Sequence, residues 1–159
     1  MKKKRDWYAH VTVATVVERK GKFLLVSEYD QQRLVYNQPA GHLEKGETIL
    51  EAAVRETLEE TGYRCKITKS LGVRHTVSAQ DVTYIRHSFV AEILEKTDLS
   101  IDEDIDGVHW LSLEDCELQK LTFRSPMVEV DMRAYLNDQT YPLDLYCDHK
   151  SVHFNDGSG

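Results

Sequence analysis

The chain has 159 residues, 41% of them hydrophobic and 30% charged, with a formal net charge of −7 at pH 7. That length suffices for one domain with a proper core. The acidic balance weighs against a nucleic-acid-binding surface as the main function, and no apolar run approaches a membrane-crossing helix.

In chain order, the basic start Met1-Lys2-Lys3-Lys4-Arg5 leads into Asp6-Trp7-Tyr8-Ala9-His10 and not into a secretory apolar core. It reads as a solvated tail. Residues 8–18 alternate apolar and polar with β-branched side chains, and residues 22–29 follow a Gly21-Lys22 turn, which predicts a hairpin. Asn37-Gln38-Pro39-Ala40 comes next, with Pro39 enforcing an extended backbone. A helix then starts at Thr48, where Glu51 three residues on completes a capping box, and stops at Gly62, a residue suited to the left-handed C-terminal position. Strands are predicted over 65–77 and 82–94, joined around Ser78-Ala79-Gln80-Asp81, and over 106–111. Helices are predicted over 113–120 and 125–136, the second with Pro126 at its first position. Strands with helices able to cover both faces predict an α/β fold, a three-layer α/β/α sandwich on a mixed β-sheet. The domain spans 1–159, with 1–6 and 146–159 as flexible or peripheral ends. Cys65, Cys116 and Cys147 are odd in number and widely spaced, which fits reduced thiols in a cytoplasmic protein better than a disulfide framework.

The chemistry concentrates on the first helix. At about 100° per residue, Ile49, Ala53, Thr57, Leu50, Val54 and Leu58 fill one half of the wheel. Glu51, Arg55, Glu59 and Glu56 fill the other, and Glu60 falls at the apolar edge between Ile49 and Ala53. A carboxylate against an apolar edge is costly unless it is paired or binds a metal. Glu56 and Glu60, four residues apart, repel each other. Arg55 offsets part of that through Glu59, and a hard dication would offset more. Oxygen-only ligands suit Mg²⁺, or Mn²⁺ as a substitute. The bland alternative is a glutamate-rich surface helix.

The spacing separates the two. Gly41, Glu47, Arg55, Glu56, Glu59, Glu60 and Gly62 match every fixed position of the Nudix box, and the segment resembles that signature of hydrolases acting on nucleoside diphosphates linked to another moiety. Thr57 and Tyr63 stand where the family usually has aliphatic residues. The resemblance implies the Nudix-type α/β/α sandwich. It implies Glu56 and Glu60 as principal metal ligands, Glu59 as a further ligand or general base, and Arg55 as the residue that orients them, with Glu47 as its ion-pair partner. It also implies the Ala40 backbone carbonyl as a metal ligand. In the acidic stretch Asp98, Asp102, Glu103, Asp104 and Asp106, it points to Asp104 as an added carboxylate ahead of Trp110. Otherwise that stretch is a solvated loop.

Arg124 opens the last helix and is a candidate for binding substrate phosphate or for an ion pair with the acidic surface. Cys147, His149 and His153 lack a fourth ligand and are not read as a zinc site. His10, His75, His87 and His109, on predicted strands, are read as packed or hydrogen-bonded residues. Tyr36-Asn37-Gln38-Pro39-Ala40-Gly41-His42-Leu43-Glu44, Leu121-Thr122-Phe123-Arg124-Ser125-Pro126 and Tyr141-Pro142-Leu143 resemble the NudJ-type branch of the family. That branch implies a monomeric, Mg²⁺-dependent phosphatase acting on nucleoside tri- and diphosphates and on the pyrophosphate of the thiamine pyrimidine precursor. Its partners are then small nucleotide or pyrophosphate substrates, with no membrane and no stable nucleic-acid partner. Two alternatives stand beside it. One is another Nudix pyrophosphohydrolase, acting on dinucleoside polyphosphates, nucleotide sugars or capped RNA. The other is a non-catalytic Nudix-fold nucleotide sensor.

Overall fold

The structure is a computed structural model and describes residues 7–147. Two sheets form the centre. The first contains β1 (His10–Val16), β5 (Ala40–His42), β6 (Tyr63–Val77) and β7 (Thr83–Lys96) in the order β5-β1-β7-β6. It is mixed, because β1 runs parallel to β7 while the other pairs are antiparallel. The second is antiparallel, with β3 (Lys22–Asp30) flanked by β4 (Arg33–Asn37) and β8 (Ile105–Leu111), and the two-residue β2 (Glu18–Arg19) at its end.

The predicted hairpin of 8–18 with 22–29 is therefore mostly wrong. Only Glu18 and Arg19 pair with β3, and β1 departs into the other sheet. Consecutive residues from Val13 to Val17 are buried, so both faces of this segment are covered and alternation was a poor guide. The turn lies at Lys20-Gly21, both at positive φ, one residue earlier than predicted. The hairpin between β3 and β4, absent from the sequence reading, turns at Gln31 and Gln32, again both at positive φ. Such turns normally carry Asn-Gly or Asp-Gly, so a Gln-Gln pair sends no signal.

Helix α1 (Ile49–Thr61) forms where its caps place it. Thr48 and Glu51 make the reciprocal capping box, and Gly62 closes the end at φ 68 while its N–H bonds the Leu58 carbonyl. Gly62→Ala is expected to cost about 1 kcal/mol, because that conformation strains any residue with a Cβ; urea unfolding of the two proteins measures it. Helix α2 is Leu113–Leu118, and α3 is Met127–Leu136 with Pro126 as its N-cap, one position before the place predicted for it.

One core packs α1 against Val13, Phe89, Cys65 and Ile67, and a second packs Val128 and Met132 of α3 against Val16, Val90, Phe23 and Leu25. Helices thus lie on both sides of strand layers, as a three-layer sandwich requires. Thr57, an exception to the family's aliphatic preference, is fully buried. Its hydroxyl donates to the Ala53 carbonyl at 2.8 Å and sits 2.8 Å from Thr15 Oγ1, so its polarity is satisfied. Tyr63, the other exception, meets Trp110 edge to face. Cys65, Cys116 and Cys147 are free thiols, the first two buried. Tyr146 is not peripheral: its ring packs 5.1 Å from Phe89 and its hydroxyl lies 2.9 Å from His87 Nδ1. His149 and His153, and the basic residues at 1–5, lie outside the described residues. No helix among those described is long and apolar enough to cross a membrane.

Candidate active site

The buried arc of α1 does not coincide with the apolar half of its wheel. Ala52, Ala53, Thr57 and Thr61 are the buried positions, whereas Leu50, Val54 and Leu58 are half-buried. Stepping about 100° per residue, the centre of that arc lies at Ala53 and Glu60. Glu60 is therefore not at an edge but directed inward. Small side chains let the helix approach the sheet closely, and the glutamate fills the gap they leave.

Inside, Glu60 Oε2 accepts the Ala40 N–H at 3.0 Å. Desolvation dominates its environment and pushes its pKa up to about 8, against the opposing backbone hydrogen bond, with the charge of Glu56 adding to the rise. Burial also raises Glu56, opposed by Arg55. Two desolvated carboxylates near one another, with a single N–H offered to Glu60, form a site short of positive charge.

Backbone geometry puts the Ala40 carbonyl beside them. Pro39 O accepts from Thr15 N and Val11 O from Leu43 N, each at 3.0 Å. By antiparallel alternation, Ala40, opposite Ala14, turns both its N–H and its C=O away from β1. The N–H reaches Glu60, and the carbonyl faces the same side.

Arg55 ties the outer carboxylates together. Its Nε and Nη2 donate to Glu47 at 2.9 and 2.8 Å, a bidentate pair. Its Nη1 donates to Glu56 and to Glu59, both at 2.9 Å, and Nη2 also donates to the His42 carbonyl at 3.0 Å. The hydrogen bond that Arg55 donates to Glu47 is the largest influence holding the guanidinium protonated, and the same bond lowers the Glu47 pKa. Among the described residues no three acidic, histidine or cysteine side chains are already drawn around one metal position; Arg55 binds Glu56 and Glu59, and Glu60 instead meets the Ala40 N–H. Gly41 completes the constellation, because a Cβ there would coincide with the Glu56 carboxylate. Gly41→Ala is expected to displace Glu56 and lower kcat about tenfold to a hundredfold, with about 1–3 kcal/mol lost to overpacking; steady-state kinetics beside thermal melting measure the two.

Asp104 does not take the place the sequence reading gave it. The loop carboxylate whose charge acts on both Glu56 and Glu60 is Asp102, whose backbone N–H is held by the Glu59 carbonyl at 2.9 Å. Both Asp102 and Asp104 are exposed, and the charge of Asp104 acts on Asp102. The helix end tethers the second acid of the stretch, Asp102, and not the fourth, Asp104. Arg124 pairs with Glu28 at 2.7 Å. Both line a cavity of about 740 Å³ that also contains Ala40, Gly41, His42, Glu60, Tyr84 and Arg86. Glu28 escaped the sequence reading, because one acid on an alternating strand is indistinguishable from a surface residue. Of the histidines, His10 contacts His42 at 3.1 Å and His109 contacts Ser27 at 2.9 Å, whereas His75 is exposed, contrary to expectation. His10, His42, Tyr8 and Tyr84 form a group of contacting rings beside the cavity.

Fold and site together define a Nudix architecture, and the chain belongs to the NUDIX domain family, which matches residues 8–131. It is a Nudix hydrolase, acting on phosphoanhydride bonds. The chain is 39% identical over 140 residues to Phosphatase NudJ of Escherichia coli K12, covering 87% of this chain and 91% of that protein, and equally similar to Phosphatase NudJ of Shigella flexneri. Among solved structures, a NUDIX hydrolase from Nitrosomonas europaea superposes with a TM-score of 0.87 at 34% identity, over 91% of this chain and 99% of that one. A UDP-X diphosphatase shares the fold at a TM-score of 0.70 and 17% identity, over 86% of this chain and 66% of that one.

Proposed function

We propose that this chain is a single-domain, Mg²⁺-dependent phosphatase of the NudJ type, hydrolysing nucleoside tri- and diphosphates and the pyrophosphate of the thiamine pyrimidine precursor. The observation that carries the reading is Glu60, turned inward against the Ala40 backbone and beside Glu56, in a site short of positive charge and open to the cavity. The donors are all oxygens, which fits Mg²⁺ or Mn²⁺. Glu56, Glu60 and the Ala40 carbonyl would hold the ion, with Glu59 as a further ligand or as the base. When bound, the ion neutralises phosphate charge and lowers the pKa of water.

The protein's own residues do the rest. Glu59, more exposed than Glu47 and Glu56 among the box glutamates that Arg55 binds, would accept a proton from the attacking water. Arg55, anchored by Glu47, holds Glu59 and Glu56 at set positions, and positioning is most of what phosphoryl transfer needs. The rings of His42 and Tyr84 offer a wall for a planar heterocycle. Nucleoside and thiamine-pyrimidine substrates share that planar ring joined to phosphate. We place the protein in the cytoplasm, as a monomer without membrane or nucleic-acid partners. The identity to Phosphatase NudJ supports the branch.

Purified protein with Mg²⁺, offered a nucleotide panel and the thiamine pyrimidine pyrophosphate with identified products, tests the reading. Stepwise orthophosphate release is the expected result. Nucleoside monophosphate plus pyrophosphate, or a phosphosugar, would instead assign another Nudix specificity. Absence of Mg²⁺-dependent turnover across the panel would favour the sensor.

A further inference from the structure

The cavity face of the mixed sheet carries a cross-strand row: His42 of β5 opposite Thr12 of β1, Thr12 opposite Arg86 of β7, and Arg86 opposite Arg74 of β6. Arg86 lines the cavity although its side chain is only 11% exposed. Behind the row lies Asp131 of α3, fully buried. Its oxygens are already occupied. Oδ1 accepts from Arg74 Nε at 2.9 Å, and Oδ2 accepts from Ser88 Oγ at 2.6 Å and Gln38 Nε2 at 3.3 Å. Arg86 donates through Nη2 to Gln38 Oε1 at 2.9 Å, but its Nε has no acceptor, with Asp131 Oδ2 at 3.5 Å. Among the described residues it is the one buried side-chain nitrogen or oxygen without a hydrogen-bond partner.

The charges do not balance either. Two guanidiniums share one carboxylate, with Arg74 partly exposed and Arg86 nearly buried at the cavity wall, which leaves one positive charge that Asp131 does not neutralise. An uncompensated buried cation is costly, and a lost hydrogen bond adds to that cost. Burial is the main influence lowering the Arg86 pKa and the charge of Arg74 adds to it, while Asp131 opposes both. The other cavity arginine, Arg124, is engaged by Glu28 at 2.7 Å and is half-exposed. The remaining charged groups of the lining, Glu28, Asp30 and Glu60, are acidic. An anion entering the cavity therefore finds its unsatisfied cation at Arg86.

We propose that Arg86, pinned by Gln38 and set with Arg74 on Asp131, forms a phosphate subsite of the cavity that needs no metal ion and binds a phosphate group of the substrate. The proposal rests on the hydrolase reading for its substrate but not for the binding itself. Nε is sealed beside Asp131 and Nη2 is engaged by Gln38, so Nη1 is the donor left to the cavity, and a guanidinium edge recognises tetrahedral oxyanions. Asp131, Gln38 and Ser88 act as positioning residues that hold its plane. The competing explanation is a purely structural pin joining α3 to the sheet.

Arg86→Gln and Arg86→Lys, compared with the unmodified protein, decide between them. Inorganic phosphate and pyrophosphate binding is measured by calorimetry in EDTA, without metal, and kcat and KM for nucleotide substrates are measured with Mg²⁺. The subsite is supported if Arg86→Gln weakens both anions about tenfold or more and raises KM by a similar factor, with a much smaller change in kcat, and Arg86→Lys falls between. It is overturned if anion binding and KM stay as in the unmodified protein, or if only the melting temperature changes. If Arg86→Gln does not fold, Arg86→Lys and the unmodified protein carry the test. Pyrophosphate in EDTA must then raise the unmodified protein's melting temperature above that in chloride of equal ionic strength, and raise that of Arg86→Lys less. No rise over chloride overturns the proposal. Metal-free anion binding without any Mg²⁺-dependent turnover would sink the hydrolase reading and leave the subsite standing.

Discussion

Glu60→Gln is expected to abolish most turnover and at the same time stabilise the metal-free protein. The amide keeps an oxygen for the Ala40 N–H and keeps the shape, but removes a charge that its surroundings resist. In catalysis the loss of an inward carboxylate is expected to lower kcat about 10³-fold or more, equivalent to about 4 kcal/mol of transition-state stabilisation. Stability moves the other way. The Glu60 pKa rises from 4.5 to about 8 on folding. A raised folded pKa means that the contribution is fully present below the unfolded value and is lost as pH climbs through the folded one. The unmodified apoprotein should therefore lose stability from about pH 5 to pH 8, and the variant should not. At pH 8 without metal, Glu60→Gln is expected to melt roughly 4–8 °C higher, corresponding to about 2 kcal/mol. Mg²⁺ should reverse the order by raising the unmodified protein more. Melting curves across pH in EDTA and in Mg²⁺, beside steady-state kinetics, read both effects. A variant that keeps normal turnover would show that Glu60 is no metal ligand.

Arg55→Ala is the second large effect. The guanidinium donates to Glu47, Glu56, Glu59 and the His42 carbonyl. Without it three carboxylates face one another with no cation between them. Removing one partner of an inward ion pair costs about 3–5 kcal/mol when fully buried. Arg55 is 22% exposed, so about 2–3 kcal/mol is expected. kcat should fall about 10²–10³-fold, because Glu56 and Glu59 lose their fixed positions. Arg55→Lys keeps the charge but cannot form the bidentate pair, and should recover only part of the activity. The pH dependence discriminates further. Arg55 lowers the Glu47 pKa, so that pair stabilises the fold above the ordinary value of 4.5 and is lost as pH falls through the depressed one. The stability gap between unmodified protein and Arg55→Ala should accordingly narrow below about pH 4. A gap that stays constant from pH 7 to pH 3 would show that Arg55 acts through packing alone.

Elements with a local cause were readable in advance. Thr48, Glu51 and Gly62 place both ends of α1 because caps are satisfied by residues a few positions away. The strands β6, β7 and β8 were found within two residues of their ends. The first hairpin failed because period-two alternation tells which residues share a face but not which strand lies alongside, and β1 pairs in parallel with β7, some seventy positions on. The second went unseen because Gln31 and Gln32 adopt a turn that their residue types disfavour.

The candidate site residues divide along the same line. The box glutamates, Arg55 and Gly41 could be named from sequence because one helix and its approach carry them at set intervals. Glu28, Asp102, Arg86 and Asp131 could not, because each becomes significant only through a neighbour distant in the chain. Asp131 did leave a trace: it occupies the same helix face as Val128 and Met132, where a charge demands a partner. Nothing local says that the partners are Arg74 and Arg86.

By itself, then, the sequence determined the family, the α/β sandwich and the helix that carries the glutamates, since caps, periodicity and fixed spacing are local properties. Only the tertiary structure decided that Glu60 points inward from the centre of the buried arc, and that Asp102 and not Asp104 is tied through its backbone to the Glu59 carbonyl. It alone placed two arginines on a single buried carboxylate at the cavity wall. Each of those depends on how closely α1, α3 and the sheet approach one another, and that distance is set by the packing of side chains from the whole chain.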